Sequence, residues 1–180
     1  VTLIVRVDEA EPTNRPVITG LSTEAQALDQ AALWRRIEQH TVYRYGVRNV
    51  LFTVSGPGEF ISPIGPVALL NSASRWVDGG WSATTLDATP LGLECLDYTY
   101  LIDCDIGALY TDDLPADVIL AFQRLAEYLG AEDVMPVGAS MYESDIGGEI
   151  RERTTRNAQH VAKSLMNSGA ADLLRGYRRL

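Results

Sequence analysis

Cysteine, histidine and methionine are scarce here: two, two and three among 180 residues. Two thiols cannot staple a disulfide scaffold, and Val1–Val7 is too short and lacks the basic flank of an export signal, so Cys95 and Cys104 read as reduced cytosolic residues. The cysteines stand nine positions apart with no Cys-x-x-Cys, and neither His40 nor His160 has the i, i+4 partner of a zinc helix. No apolar run approaches the roughly 20 residues that a membrane helix needs, which argues against a membrane partner. Gly56-Pro57-Gly58 lacks the third glycine of a dinucleotide fingerprint and the Gly-Lys-Ser/Thr of a phosphate loop, and is read as a turn. There is no Gly-x-Ser-x-Gly elbow, and acid pairs such as Glu94 with Asp97 carry no geometric claim. The expectation is a protein with no catalytic residue, no metal and no cofactor.

Asp103-Cys104-Asp105-Ile106-Gly107 precedes Asp112-Asp113 and superficially resembles a calcium loop. Counting from Asp103, positions 5, 6 and 12 are Gly107, Ala108 and Leu114, where an EF-hand needs an oxygen ligand, glycine and glutamate. Asp103, Asp105, Asp112 and Asp113 are therefore read as turn carboxylates and a helix cap, with an irregular ion site left as the alternative.

Charge is present in quantity but unevenly. The last thirty residues hold seven of the 15 Lys and Arg but two of the 24 Asp and Glu, a net of +5; the 8 bases and 22 acids before them give −14. An acidic body disfavours a nucleic-acid grip, which draws on Lys and Arg at phosphates. A basic arm bearing Leu173, Leu174 and Tyr177 suits docking onto another molecule, whereas the plainer reading is a solvated terminal helix.

Local patterning divides the chain. Residues 1–20, with Pro12, Pro16 and Gly20, read as an extended arm with a short strand at Thr2–Val7. A first helix is expected from Ser22 or Thr23 to about His40, with Leu21, Ala25, Leu28 and Ala32 on one stripe and Ala27, Ala31 and Trp34 on a second. Residues 42–102 read as an inserted antiparallel β region: strands at 47–54, 66–77, 81–86 and 93–102, with a tight hairpin at Asp78-Gly79-Gly80. Pro63 and Pro66 exclude a central strand between them. A second helix follows Asp113-Leu114-Pro115, carries the stripe Val118, Phe122, Leu125 and Leu129, and stops at Gly130. Residues 131–147 read as a long loop. A third helix is expected from Gly148 to Met166, opened against its macrodipole by Arg151, Arg153 and Arg156, and Ser168 should cap a short helix over 170–174. The fold class is thus α+β: a small bundle of three main helices plus a short C-terminal one, with the β insertion and extended termini.

This layout resembles the head-to-tail adaptor (connector) proteins of tailed siphophages and gene transfer agents. The residues that carry it are Leu33–Glu38, Ser62–Val67, Asp78–Trp81, Leu114–Val118 and Ser168–Arg179; the first twenty residues and the acidic stretch around Glu132–Asp145 lie outside it. The resemblance implies a structural virion neck protein, assembled in the host cytoplasm as a twelve-subunit ring between the portal and a stopper or tail-terminator protein. DNA would pass through its channel without sequence-specific binding. It puts Leu173, Leu174, Arg175, Tyr177, Arg178 and Arg179 at the portal contact and makes 167–180 a docking arm on an adaptor domain over 21–166. The nearest alternative is another head or tail completion protein, a stopper, whose main body would be a β-barrel rather than three helices. A small-molecule-binding α+β domain would need a pocket with convergent polar groups, and a nucleic-acid module would use the basic arm.

Overall fold

Every second residue of Arg48–Ser55 and of Thr99–Ile106 is buried, the period that lets one face of a pleated strand meet a core. The computed structural model describes residues 2–107, 114–131, 141–146, 150–155 and 161–178. It divides into two compact units, one of Val1–Val17, Thr41–Asp113 and Tyr177–Leu180, the other of Ile18–His40 and Leu114–Gly176.

The first unit holds β1 (Leu3–Glu9), β2 (Arg48–Ser55), β3 (Gly58–Phe60), β4 (Val67–Val77), β5 (Gly80–Thr84), β6 (Leu93–Cys95) and β7 (Thr99–Ile106). Five of these form one antiparallel sheet in the order β1-β2-β7-β4-β5, and β3 pairs with β6. The core is the inward face of β2 and β7 (Val50, Phe52, Val54, Tyr100, Ile102, Ile106), closed by Phe60 and Cys95 of the small sheet. The Asp78-Gly79 turn joins β4 to β5 with positive φ at both residues, 51° and 80°. That is the twist a two-residue hairpin requires, and Asp and Gly tolerate it. The turn sets Trp76 opposite Trp81, their rings 5.1 Å apart and edge-to-face.

The strand expected at 93–102 is two strands in different sheets. Tyr98 N–H donates to the Leu96 carbonyl at 2.8 Å and the Leu96 N–H donates to the Tyr100 hydroxyl at 3.0 Å, so the chain turns between them. The segment read as an N-terminal arm contributes an edge strand, β1, to the main sheet.

The second unit contains α1 (Thr23–Gln26), α2 (Gln30–His40), α3 (Ala116–Gly130), the hairpin strands β8 (Met141–Ile146) and β9 (Ile150–Thr155), α4 (Ser164–Asn167) and α5 (Ala170–Leu173). The single helix expected from Ser22 to His40 is two. Ser22 caps α1 through its hydroxyl, which accepts the Ala25 N–H at 3.2 Å. Asp29 then restarts the chain by accepting the N–H groups of Ala31 and Ala32 at 2.9 and 3.3 Å, the short-carboxylate capping that competes with continuing a helix. Of the expected stripes α2 buries Trp34; the restart changes the helical phase, so Leu33, Ile37 and Glu38 are buried beside it. Trp34 meets Phe122 of α3 with ring centroids 4.6 Å apart. In α3, Pro115 occupies the N-cap position; Asp113, expected there, lies outside the described residues.

Gly130 ends α3 as expected, but for a packing reason. A Cβ there would lie 2.7 Å from the Ala25 nitrogen and 2.8 Å from its Cα. Gly130→Ala is therefore expected to lower stability by about 2 kcal/mol, an overpacking cost against backbone that cannot swing aside. The denaturant midpoint at unchanged slope measures it; an unshifted midpoint would deny the close approach.

The expected helical bundle is overturned. Among the described residues, seven strands in two sheets lie in the first unit and a two-stranded pair in the second, whereas α3 is the longest α-helix at 15 residues, α2 has 11 and the other α-helices four. The third helix, expected over 148–166, is replaced by β9 and the short α4. Register explains it: Glu143 pairs with Arg153, and Asp145 with Arg151, so residues of opposite charge take paired positions, which favours an antiparallel ladder. Part of the expected loop 131–147 is likewise strand, β8.

Candidate functional site

The C-terminal segment is built from a short cap outward. Gly169, at φ 73°, is itself the N-cap of α5 and makes no side-chain cap hydrogen bond; Ser168, expected as that cap, instead closes α4, although its hydroxyl accepts the Ala170 N–H at 3.3 Å. Of the residues expected at a portal contact, Leu174 is completely buried and Leu173 is half-buried. Arg175 and Arg178 are exposed, while Arg179 lies outside the described residues. Tyr177 is half-buried within the first unit; its carbonyl accepts the Val42 N–H at 3.2 Å, and its ring sits edge-on to Tyr43 at 5.5 Å. The structure thus makes Leu174 a core residue and leaves two guanidinium groups, Arg175 and Arg178, facing solvent.

A second polar cluster in the first unit went unseen in the sequence. Glu9, at the end of β1, accepts from Arg44 Nε at 2.7 Å and Nη2 at 3.1 Å, and from Arg48 Nη1 at 2.7 Å. Burial pushes the Glu9 carboxyl up, but the two guanidinium groups outweigh it and hold the pKa below the ordinary glutamate value. Sequence separations of 35 and 39 residues hide this cluster from local reading. Its signals are an acid closing an apolar strand and an arginine opening another.

The calcium-loop residues are not a loop. Asp103 and Asp105 lie on β7, on the face opposite buried Cys104. The Asn71 amide donates to both, at 3.2 and 3.0 Å, and Asn49 donates to Asp103. Among the described residues, no group of three or more His, Cys, Asp or Glu could hold a metal ion; Asp112 and Asp113 lie outside them. Burial, and then the charges of Asp103 and Asp105, raise the Cys104 thiol to about 11, and burial also raises Cys95. Both are free, buried thiols held away from the reactive thiolate.

A cleft of about 390 Å³ opens in the first unit between Phe60, Ile64, Val67, Leu70, Leu91 and Leu93. Its lining is apolar, a shape suited to side chains more than to polar substrates. Beside it, all six residues of Val67–Ser72 are exposed although they form half of β4. At the opposite edge of the sheet, Leu3 and Val5 of β1 are 68% and 61% exposed. Among the described residues, no helix is long and apolar enough to cross a membrane. Compared with known proteins, the chain matches no family model, no curated protein and no solved structure.

Proposed function

We propose that the protein is a structural component of a virion neck, a head-to-tail adaptor that sits as a ring between the portal and the stopper or tail around the DNA exit channel. The observation that carries the reading is the C-terminal run Ser168–Arg178. There the sequence resembles the adaptor terminus, and Arg175 in the second unit and Arg178 in the first are each exposed. Exposed arginines suit an acidic docking face, because a guanidinium presents several donors in one plane and loses little freedom on pairing. The reversal of charge over the last thirty residues supplies the same sign. A neck protein needs no bond-making chemistry; it needs surfaces, and exposed apolar strand edges at both sides of one sheet support that role.

Deleting residues 173–180 would remove buried Leu174 and confound docking with folding. The Arg175→Glu, Arg178→Glu double variant keeps buried Leu174. It is expected to fold normally by circular dichroism and to lose co-sedimentation with portal rings. Co-sedimentation at wild-type strength would sink the reading.

A stopper is the second reading, favoured by the predominance of strands in the first unit. It predicts docking to the adaptor side of a preformed neck and none to bare portal.

A further inference from the structure

Half of β4 has its outer side uncovered among the described residues. β5 pairs with β4 only from Ala73 to Val77, so Val67–Ser72 is hydrogen-bonded to β7 alone. This half-strand carries Val67, Leu69 and Leu70 at 49%, 58% and 38% exposure and no charged residue. Proteins usually blunt such edges with charge or proline, because free N–H and C=O groups beside apolar side chains recruit another strand. We infer that this edge is a strand-addition site, and that its occupant is β1 of a second copy of the chain.

Four observations select that occupant. β1 is the other edge of the same sheet, so its outer side is free in the order β1-β2-β7-β4-β5. Its length, seven residues, matches the six that are open. Its apolar residues Leu3, Val5 and Val7 are exposed; the irregularity at Val5 sets Ile4 and Val7 opposite Val54 and Phe52, on the face where the partner cleft lined by Val67 and Leu70 can receive them. Direction also agrees. All four pairings are antiparallel, so β1 runs opposite to β4 and along β5. A second copy rotated about an axis parallel to the strands therefore brings its β1 antiparallel to β4, continuing the pattern, whereas against β5 it would lie parallel. β1 is irregular between Ile4 and Arg6, and β4 between Val67 and Leu69 and between Leu70 and Ser72. Both edges are thus bent, which restricts pairing to a strand of matching curvature.

The contact joins two different surfaces, β1 of one copy and β4 of the next. Such a head-to-tail contact generates a ring when its rotation closes. The contact stands on the two edges alone; closure into a ring rests on the neck reading.

Two exposed substitutions test it: Val5→Lys blocks the first edge and Leu69→Lys the second. Wild-type protein is expected to self-associate by sedimentation velocity, and each variant to run as a monomer with an unchanged far-ultraviolet spectrum. Mixed together, the variants are expected to form a one-to-one dimer and stop, because one intact β1 meets one intact β4. Monomeric wild type at every concentration, either variant assembling like wild type, or a mixture that stays monomeric would each overturn the inference. If a variant loses its spectrum, Leu3→Lys and Val67→Lys repeat the cross with the same expected result. Portal co-sedimentation separates the two ideas: docking with unaltered assembly in both variants removes the strand contact and spares the neck role, and edge-dependent assembly without docking does the reverse.

Discussion

Phe52→Ala is expected to lower the stability of the protein by about 4 kcal/mol, within the range for deleting a buried aromatic ring. Phe52 is fully buried on β2, stands opposite Ile102 on β7, and meets the Phe60 ring at 5.1 Å. Strands lie on both sides of β2, so its backbone cannot close on the void, and the lost transfer energy is joined by a cavity term. Thr53, one residue on, points to the other face and is half-buried; Thr53→Ala should cost at most about 0.5 kcal/mol, as surface changes do. Urea denaturation of the two variants makes the comparison. A loss below about 2 kcal/mol at Phe52 would mean that the site repacks, contrary to this placement.

That pair of residues also shows why part of the fold could be read from the chain. Alternation along β2, the Asp-Gly hairpin and the Val118-Phe122-Leu125 stripe are local signals, set by sterics within a few residues. Residues 148–166 failed for the complementary reason. Ile150, Thr154, Val161 and Leu165 keep helical spacing, yet Arg151 and Arg153 alternate as well, and the choice fell to a strand, Met141–Ile146, that the apolar pattern did not announce. Asp29 has the side chain of a cap, but the alanine-rich run around it keeps helical spacing on both sides and hides the break.

The candidate surfaces divide in the same way. Reversal of charge made Arg175 and Arg178 visible. It could not separate Leu174, which is buried, from Leu173, because a Leu-Leu pair reads alike in an arm and in a core. The open half of β4 was readable as a strand; that β5 stops short of it is a fact of register, and register depends on the turn and on the partner together.

The cluster at Glu9 gives the remaining large effect. Arg48 is nearly buried, its side chain 5% exposed, and Glu9 is 27% exposed, so the pair is only weakly screened by solvent. Glu9→Gln keeps the shape and removes the charge, leaving the Arg48 guanidinium without this carboxylate in a poorly solvated site. The expected loss is about 3 kcal/mol at pH 7, the lower end for breaking a buried pair on one side. The pH dependence follows from the depressed pKa. A carboxylate whose folded pKa lies below its unfolded value contributes stability that is fully present above the unfolded value, about 4.3, and lost as pH falls through the folded one. Wild type should therefore lose its advantage over Glu9→Gln in acid, the two stability curves converging below about pH 4. Arg44→Gln supplies the second side of the cycle, since Arg44 makes the two-point contact with the same carboxylate. If the gap between wild type and Glu9→Gln stays constant from neutral pH into acid, the ion pairs do not hold β1 to its sheet, and another interaction at Glu9 must.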